Sequence, residues 1–131
     1  MTKEDKELVL KDLCARLPYK VKIQVTWWSG IQGASINTTL DSDYIDELID
    51  DNSGDIEIKP YLRLMSSMTE EEKEEIEHLA GSIVCYNELE GGSTLFDEVG
   101  LDWLNSHHFD YRGLIKKGLA LEATEEIYKW Q

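Results

Sequence analysis

The sequence predicts an α+β fold, a single domain over residues 1–131 in which a small antiparallel sheet is packed by about four helices. Two patterns predict it. Some segments place apolar residues at every second position, the period of a strand with one buried face. Between them lie segments whose apolar residues recur at i, i+3 and i+4 behind a capping residue, the mark of an amphipathic helix. A chain of 131 residues is also long enough to bury one core without disulfides or metals.

The first helix is expected over Lys3–Arg16. Thr2 with Asp5 resembles a capping box, Leu10, Leu13, Cys14 and Leu17 recur near helical spacing, and Pro18 ends the run. Lys20–Trp28 alternates Val21, Ile23, Val25 and Trp27 against polar residues, and Ala34–Leu40 reads as a return strand after the turn at Ser29-Gly30. Neighbouring strand residues face opposite ways. One of Trp27 and Trp28 is therefore expected inside and the other outside, where it is a candidate exposed contact.

Asp41–Asp51 suits a short helix through Tyr44, Ile45, Leu48 and Ile49, followed by a turn at Asn52-Ser53-Gly54. Asp55–Met65 alternates again, with Pro60 expected at an edge or bulge. Thr69 and Glu72 form a capping box ahead of a Glu-rich helix that closes at Gly81. Ser82–Glu88 suits a short buried strand. Thr94 and Asp97 begin a helix to about Asn105 or His107. Asp110 is expected to cap a further helix through Lys117, and Leu119–Leu121 to be extended. The tail from Thr124 to Gln131 is expected to be helical or loosely docked, with Ile127 and Trp130 as candidate anchors.

Charge excludes more than it identifies. There are 27 acidic and 13 basic residues, for a net charge of −14, and the basic ones cluster. None lies between Lys22 and Lys59 or between Lys73 and Arg112. Nucleic acid and anionic membrane, which are held by Lys and Arg, should be repelled, and a basic protein partner favoured. No apolar run approaches the roughly 20 residues of a membrane span. Cys14 and Cys85 are far apart with no CxxC spacing, and no secretory signal is seen, so buried free thiols in a reducing cytoplasm are expected.

Two segments carry a resemblance: IEIKPYLRLMSSMTEEEKEEIE (Ile56–Glu77) and LDWLNSHHFDYRGLIKKGLALEA (Leu101–Ala123). They resemble a family of small proteins from prophages and mobile elements of gut bacteria. The resemblance covers the second half of the chain better than the first. It implies an intracellular, mobile-element origin and carries no activity, ligand or site.

The residues that invite a chemical reading are Trp103, His107, His108, Asp110 and Arg112. Adjacent histidines point about 100° apart on a helix and to opposite faces on a strand, so neither arrangement puts both rings on one metal ion. Zinc or iron needs at least three protein ligands, and spacing indicates no third. One histidine is expected to cap the helix C-terminus and the other to pack against Trp103 or Tyr111. Both cysteines sit in apolar settings typical of inert core thiols, which disfavours a Cys–His nucleophile. No dinucleotide, P-loop or nucleophile-elbow motif is present, so no cofactor is expected. Gly91-Gly92 before Ser93-Thr94 could cradle an anion, but Asp97 and Glu98 in the following turn argue against phosphate.

Two function classes remain. The first is a non-enzymatic, acidic protein-binding or adaptor module. One version is an inhibitor or DNA mimic acting on a basic host protein, with charge supplied by Glu70–Glu75 and Asp41–Asp55. The second is a metal- or acid/base-dependent enzyme using His107, His108 and Asp110. Position favours a joint between two capped helices for His107–Arg112, with Trp103, Leu104, Phe109, Leu114 and Ile115 as its hydrophobic corner.

Overall fold

A computed structural model describes residues 2–51, 54–80 and 98–128. The order is α1 (Lys3–Arg16), a 3-10 turn (Leu17–Tyr19), β1 (Lys22–Ser29), β2 (Gln32–Thr39), α2 (Ser42–Asp50) and β3 (Ile56–Leu62). A second 3-10 turn (Met65–Ser67), α3 (Glu70–Ala80), α4 (Glu98–Ser106), β4 (Leu121–Glu122) and α5 (Glu125–Tyr128) follow. The fold is α+β. The sheet order is β2-β1-β3-β4. β1 is antiparallel to both β2 and β3, while the two residues of β4 add to β3 in parallel, so the sheet is mixed.

Local chemistry sets most boundaries. The Thr2 hydroxyl accepts from the Asp5 amide at the start of α1. Asp41 accepts from the Tyr44 amide at the start of α2. The Thr69–Glu72 box forms in both directions: Thr69 N donates to Glu72 Oε1 and Glu72 N to Thr69 Oγ1. Gly30 takes φ +66 at the β1–β2 bend, where a tight hairpin turn needs a left-handed first residue.

Pro60 lies inside β3 without breaking it. The Trp28 amide bonds Asp55 O, and along this register Pro60 opposite Ile23 turns its nitrogen away from β1. On that side β4 begins only at Tyr61. The missing donor therefore costs no ladder bond.

One face of the sheet carries the core. Ile23, Val25, Ile56, Ile58 and Leu62 meet Val9 and Leu13 of α1, Ile45 and Leu48 of α2, and Leu114, Leu119 and Ala120. A second cluster joins Met68, Ile76, Trp103, Leu104 and Phe109. At about 25 cal/mol per Å² of buried apolar surface, these two clusters are the main favourable contribution to folding.

Several expectations are corrected. The helix from Asp110 through Lys117 is a run of turns instead, with Gly113 at φ +74 and Gly118 at φ +76, left-handed conformations that a helix cannot continue through. Cys14 is exposed rather than in the core, because α1 buries the stripe Val9, Asp12, Leu13 and Arg16. Trp27 and Trp28 do not divide inside from outside: they are 38% and 41% exposed. The hairpin tip is exposed, with Ile31 at 97%, and the Trp28 ring lies across Gly33, where a Cβ would fall 2.8 Å from its ring carbons. The expected strand at Ser82–Glu88, Cys85, the Gly91-Gly92 loop, the Thr94 cap and Trp130 lie outside the described residues.

Ile58 is fully buried whereas Ile31 at the hairpin tip is 97% exposed. Ile58→Ala is expected to cost about 2–5 kcal/mol. Ile31→Ala is expected to stay within about 0.5 kcal/mol. Urea unfolding of both variants checks the pair.

Candidate functional site

The corner around His107–Arg112 is built on a buried ion pair. Asp12 and Arg16, one turn apart on α1, have side chains with 0% exposure and meet at 2.8 Å through Arg16 Nε and Asp12 Oδ2. The other oxygen of Asp12 accepts from Arg112 Nε at 3.1 Å. Arg16 Nη2 donates to the Phe109 carbonyl, tying α1 to the chain after α4. Tyr111 lies within 5.3 Å of the Arg16 guanidinium and 4.9 Å of that of Arg112, so one ring faces two cations. Its hydroxyl donates to Asn105 Oδ1 and accepts from Arg112 Nη2.

The two histidines have separate roles. His107 stacks on Trp103 with ring centroids 4.0 Å apart. Its Nδ1 lies 2.9 Å from the Trp103 carbonyl, one of the last of α4. A carbonyl only accepts, so that nitrogen carries the proton. One histidine thus both caps the helix and packs on Trp103. His108 points elsewhere. With φ +63 it turns the chain out of α4 and stacks on Tyr128 at 4.1 Å. Burial above all, with the charges of Arg16, His107 and Arg63, pushes its imidazole down to about 4.

The remaining groups are also committed. Asp110 accepts the Leu114 amide on one oxygen and the Ile115 amide on the other, both at 2.9 Å, and so holds the turns that follow. Phe109 bridges to Arg63 at the end of β3 and is covered by the Arg63 guanidinium at 4.1 Å. Arg63 grips Glu72 with two bonds of 2.7 Å. Burial alone would raise the Glu72 carboxyl, but the bonds from Arg63 and Thr69 and the Arg63 charge hold it below the usual range. The Tyr128 hydroxyl donates to the Tyr61 carbonyl and accepts the Lys22 amide, and burial raises its pKa. Trp103, His107, His108, Asp110 and Arg112 are thus brought into one corner, where their contacts with the described residues brace the fold. Among the described residues no three His, Cys, Asp or Glu side chains converge where they could hold a metal ion.

Among the described residues an open surface groove lies elsewhere. It holds about 400 Å³ and is lined by Trp27, Ile56, Asp46, Glu47, Asp50, Asp51 and Asp55. Asp51 is structural in part, because its carboxylate accepts the Asp55 and Ile56 amides at the start of β3. Asp46, Glu47, Asp50 and Asp55 are exposed around the indole. The groove joins two features that the sequence offered separately, an exposed tryptophan and the acidic Asp41–Asp55 segment.

Reasoning from sequence missed Asp12 and Arg16. The available signal was their i, i+4 spacing on the stripe that also holds Val9 and Leu13. The chain matches no protein-family model, no curated protein and no solved structure. Among the described residues no helix is long and apolar enough to cross a membrane.

Removing one partner of a buried pair strands the other charge, so Asp12→Ala is expected to lose about 3–5 kcal/mol. The double variant Asp12→Leu/Arg16→Met is expected to lose less than either single change, as read by urea unfolding. A second prediction concerns pH. The folded value of His108 lies below its ordinary 6.5, so the unfolded chain takes the proton first. The stability contributed by neutral His108 is therefore fully present above about pH 6.5 and is lost as pH falls toward 4. His108→Asn tolerates the left-handed backbone and does not titrate. Between pH 7 and 4.5 it is expected to lose about 2–3 kcal/mol less than the parent chain in the same measurement.

Proposed function

We propose that this chain is a non-enzymatic protein-binding module that takes a basic segment of a partner protein into the acidic groove beside Trp27. The observation that carries the reading is the groove's lining: carboxylates of Asp46, Glu47, Asp50, Asp51 and Asp55 around one indole and Ile56. A lysine or arginine there meets negative charge along its flanks and the negative face of an aromatic ring. The net charge of −14 acts at longer range by attracting a basic partner.

An inhibitor or DNA mimic is the sharper form of the same reading, with the exposed Glu70, Glu71 and Glu74 of α3 extending the array of carboxylates. The resemblance of the second half of the chain to prophage and mobile-element proteins fits an inhibitor of a host protein in the cytoplasm. The enzymatic alternative, with His107, His108 and Asp110 as acid/base or metal-binding groups, has less support. His107 Nδ1 and both Asp110 oxygens are already bonded to backbone, and His108 is buried against Tyr128.

The test is titration with an arginine-rich peptide, followed by tryptophan emission at low and high salt. Affinity is expected to fall at least tenfold between roughly 50 and 500 mM salt. Asp46→Lys/Asp50→Lys should abolish binding, whereas the same reversal at Glu71 and Glu74 should weaken it only a few-fold. Binding that ignores both the salt and the α2 reversal would sink the proposal.

A further inference from the structure

Among the described residues β2 forms one edge of the sheet, and its own sequence lacks the residues that keep an edge strand from pairing. Gln32–Thr39 contains no Lys, Arg, Asp, Glu or Pro, the residues that ordinarily blunt an edge. Its register with β1 runs unbroken from Lys22↔Thr39 to Ser29↔Gln32, so no bulge twists it away. The neutral tract exceeds the strand: no charged residue occurs from Ile23 to Leu40, in a chain whose charged fraction is 31%.

The hydrogen-bonding pattern identifies which groups are open. The Leu40 amide bonds the Val21 carbonyl, so that pair is of the hydrogen-bonded type and the next, Lys22 with Thr39, is not. By alternation Thr39, Asn37, Ser35 and Gly33 turn their amides and carbonyls away from β1, toward the side on which no described strand pairs with β2. On the core side of the sheet Ile36 stands opposite Val25 and Ala34 opposite Trp27. Ile36 is 45% exposed there, beyond the cover of the helices.

We propose that β2 pairs antiparallel with β2 of a second copy of this chain, about a two-fold axis centred on Ser35. In that register Gly33 faces Asn37 of the second copy and Ser35 faces its own equivalent, so every outward group from Gly33 to Asn37 finds a partner. Ile36 falls beside Ala34 of the second copy, in the more closely spaced kind of pair, and its apolar face is covered. Charge selects this occupant. A basic partner is complementary to the carboxylates of α2 and α3 and finds none on the hairpin. Two chains of net charge −14 repel each other, and the neutral hairpin is the surface on which they meet without opposing carboxylates. The inference is independent of the acidic groove, and salt separates the two, because screening weakens binding of a basic peptide and strengthens self-association.

The test is sedimentation of the full chain over a concentration series, at low and high salt. The expected species is a dimer of twice the 15.1 kDa chain mass, whose dissociation constant falls several-fold as salt rises. Ser35→Pro removes an outward amide for which no described residue is a partner, and Ser35→Lys places a charge on the axis. Both are expected to sediment as monomers with an unchanged far-ultraviolet spectrum. If either variant misfolds, Asn37→Lys on the same edge takes its place. A parent chain that stays monomeric to millimolar concentration in both salts overturns the proposal. So does a dimer that survives the folded edge variants, or an assembly larger than the closed two-fold pair.

Discussion

The ion pair between Asp12 and Arg16 is the constraint on which the corner depends. Two full charges are held at 0% exposure, which is tolerable only because each finds further partners. Asp12 uses its second oxygen on Arg112, and Arg16 reaches the Phe109 carbonyl. Those contacts link the first helix to a segment nearly a hundred residues later. They also fix where Phe109 enters the second cluster and where Tyr111 lies between two guanidinium groups. Removing either charge would leave the other buried and unpaired.

The histidine-rich stretch acquires its meaning from that joint. Adjacent residues leaving a helix diverge, and here the divergence is functional for folding. His107 stays with α4, stacked on Trp103, while His108 adopts a left-handed backbone and crosses to Tyr128. Phe109 and Asp110 then lie alongside Arg63 at the end of β3. Side chains that resemble a catalytic set in one dimension serve four different neighbours in three.

The surface is divided just as clearly. Carboxylates are concentrated on α2, α3 and the start of β3, whereas the β1–β2 hairpin is uncharged from Ile23 onward. Trp27 stands at the boundary, with its indole on the acidic groove and its backbone in the neutral ladder. This partition separates a region suited to long-range attraction from one suited to close main-chain contact.

The sequence alone determined those features that depend on near neighbours. The caps at Thr2 and Thr69, the alternation in β1 and β3, and the α+β class were legible because each rests on contacts within a few residues. The stop at Pro18 belongs to the same kind. The tertiary structure decided whatever required knowing what lay opposite. Asp12 and Arg16 stand four residues apart on one helix, and only the fold brings Arg112 and Phe109 over them. Asp110 looks like the start of a helix, yet its two oxygens hold turns around Gly113. Trp27 and Trp28 follow strand alternation, yet both stay exposed, Trp27 beside the carboxylates of α2 and Trp28 across Gly33. Spacing along the chain encodes which way a side chain points, and only the fold supplies the neighbour it meets.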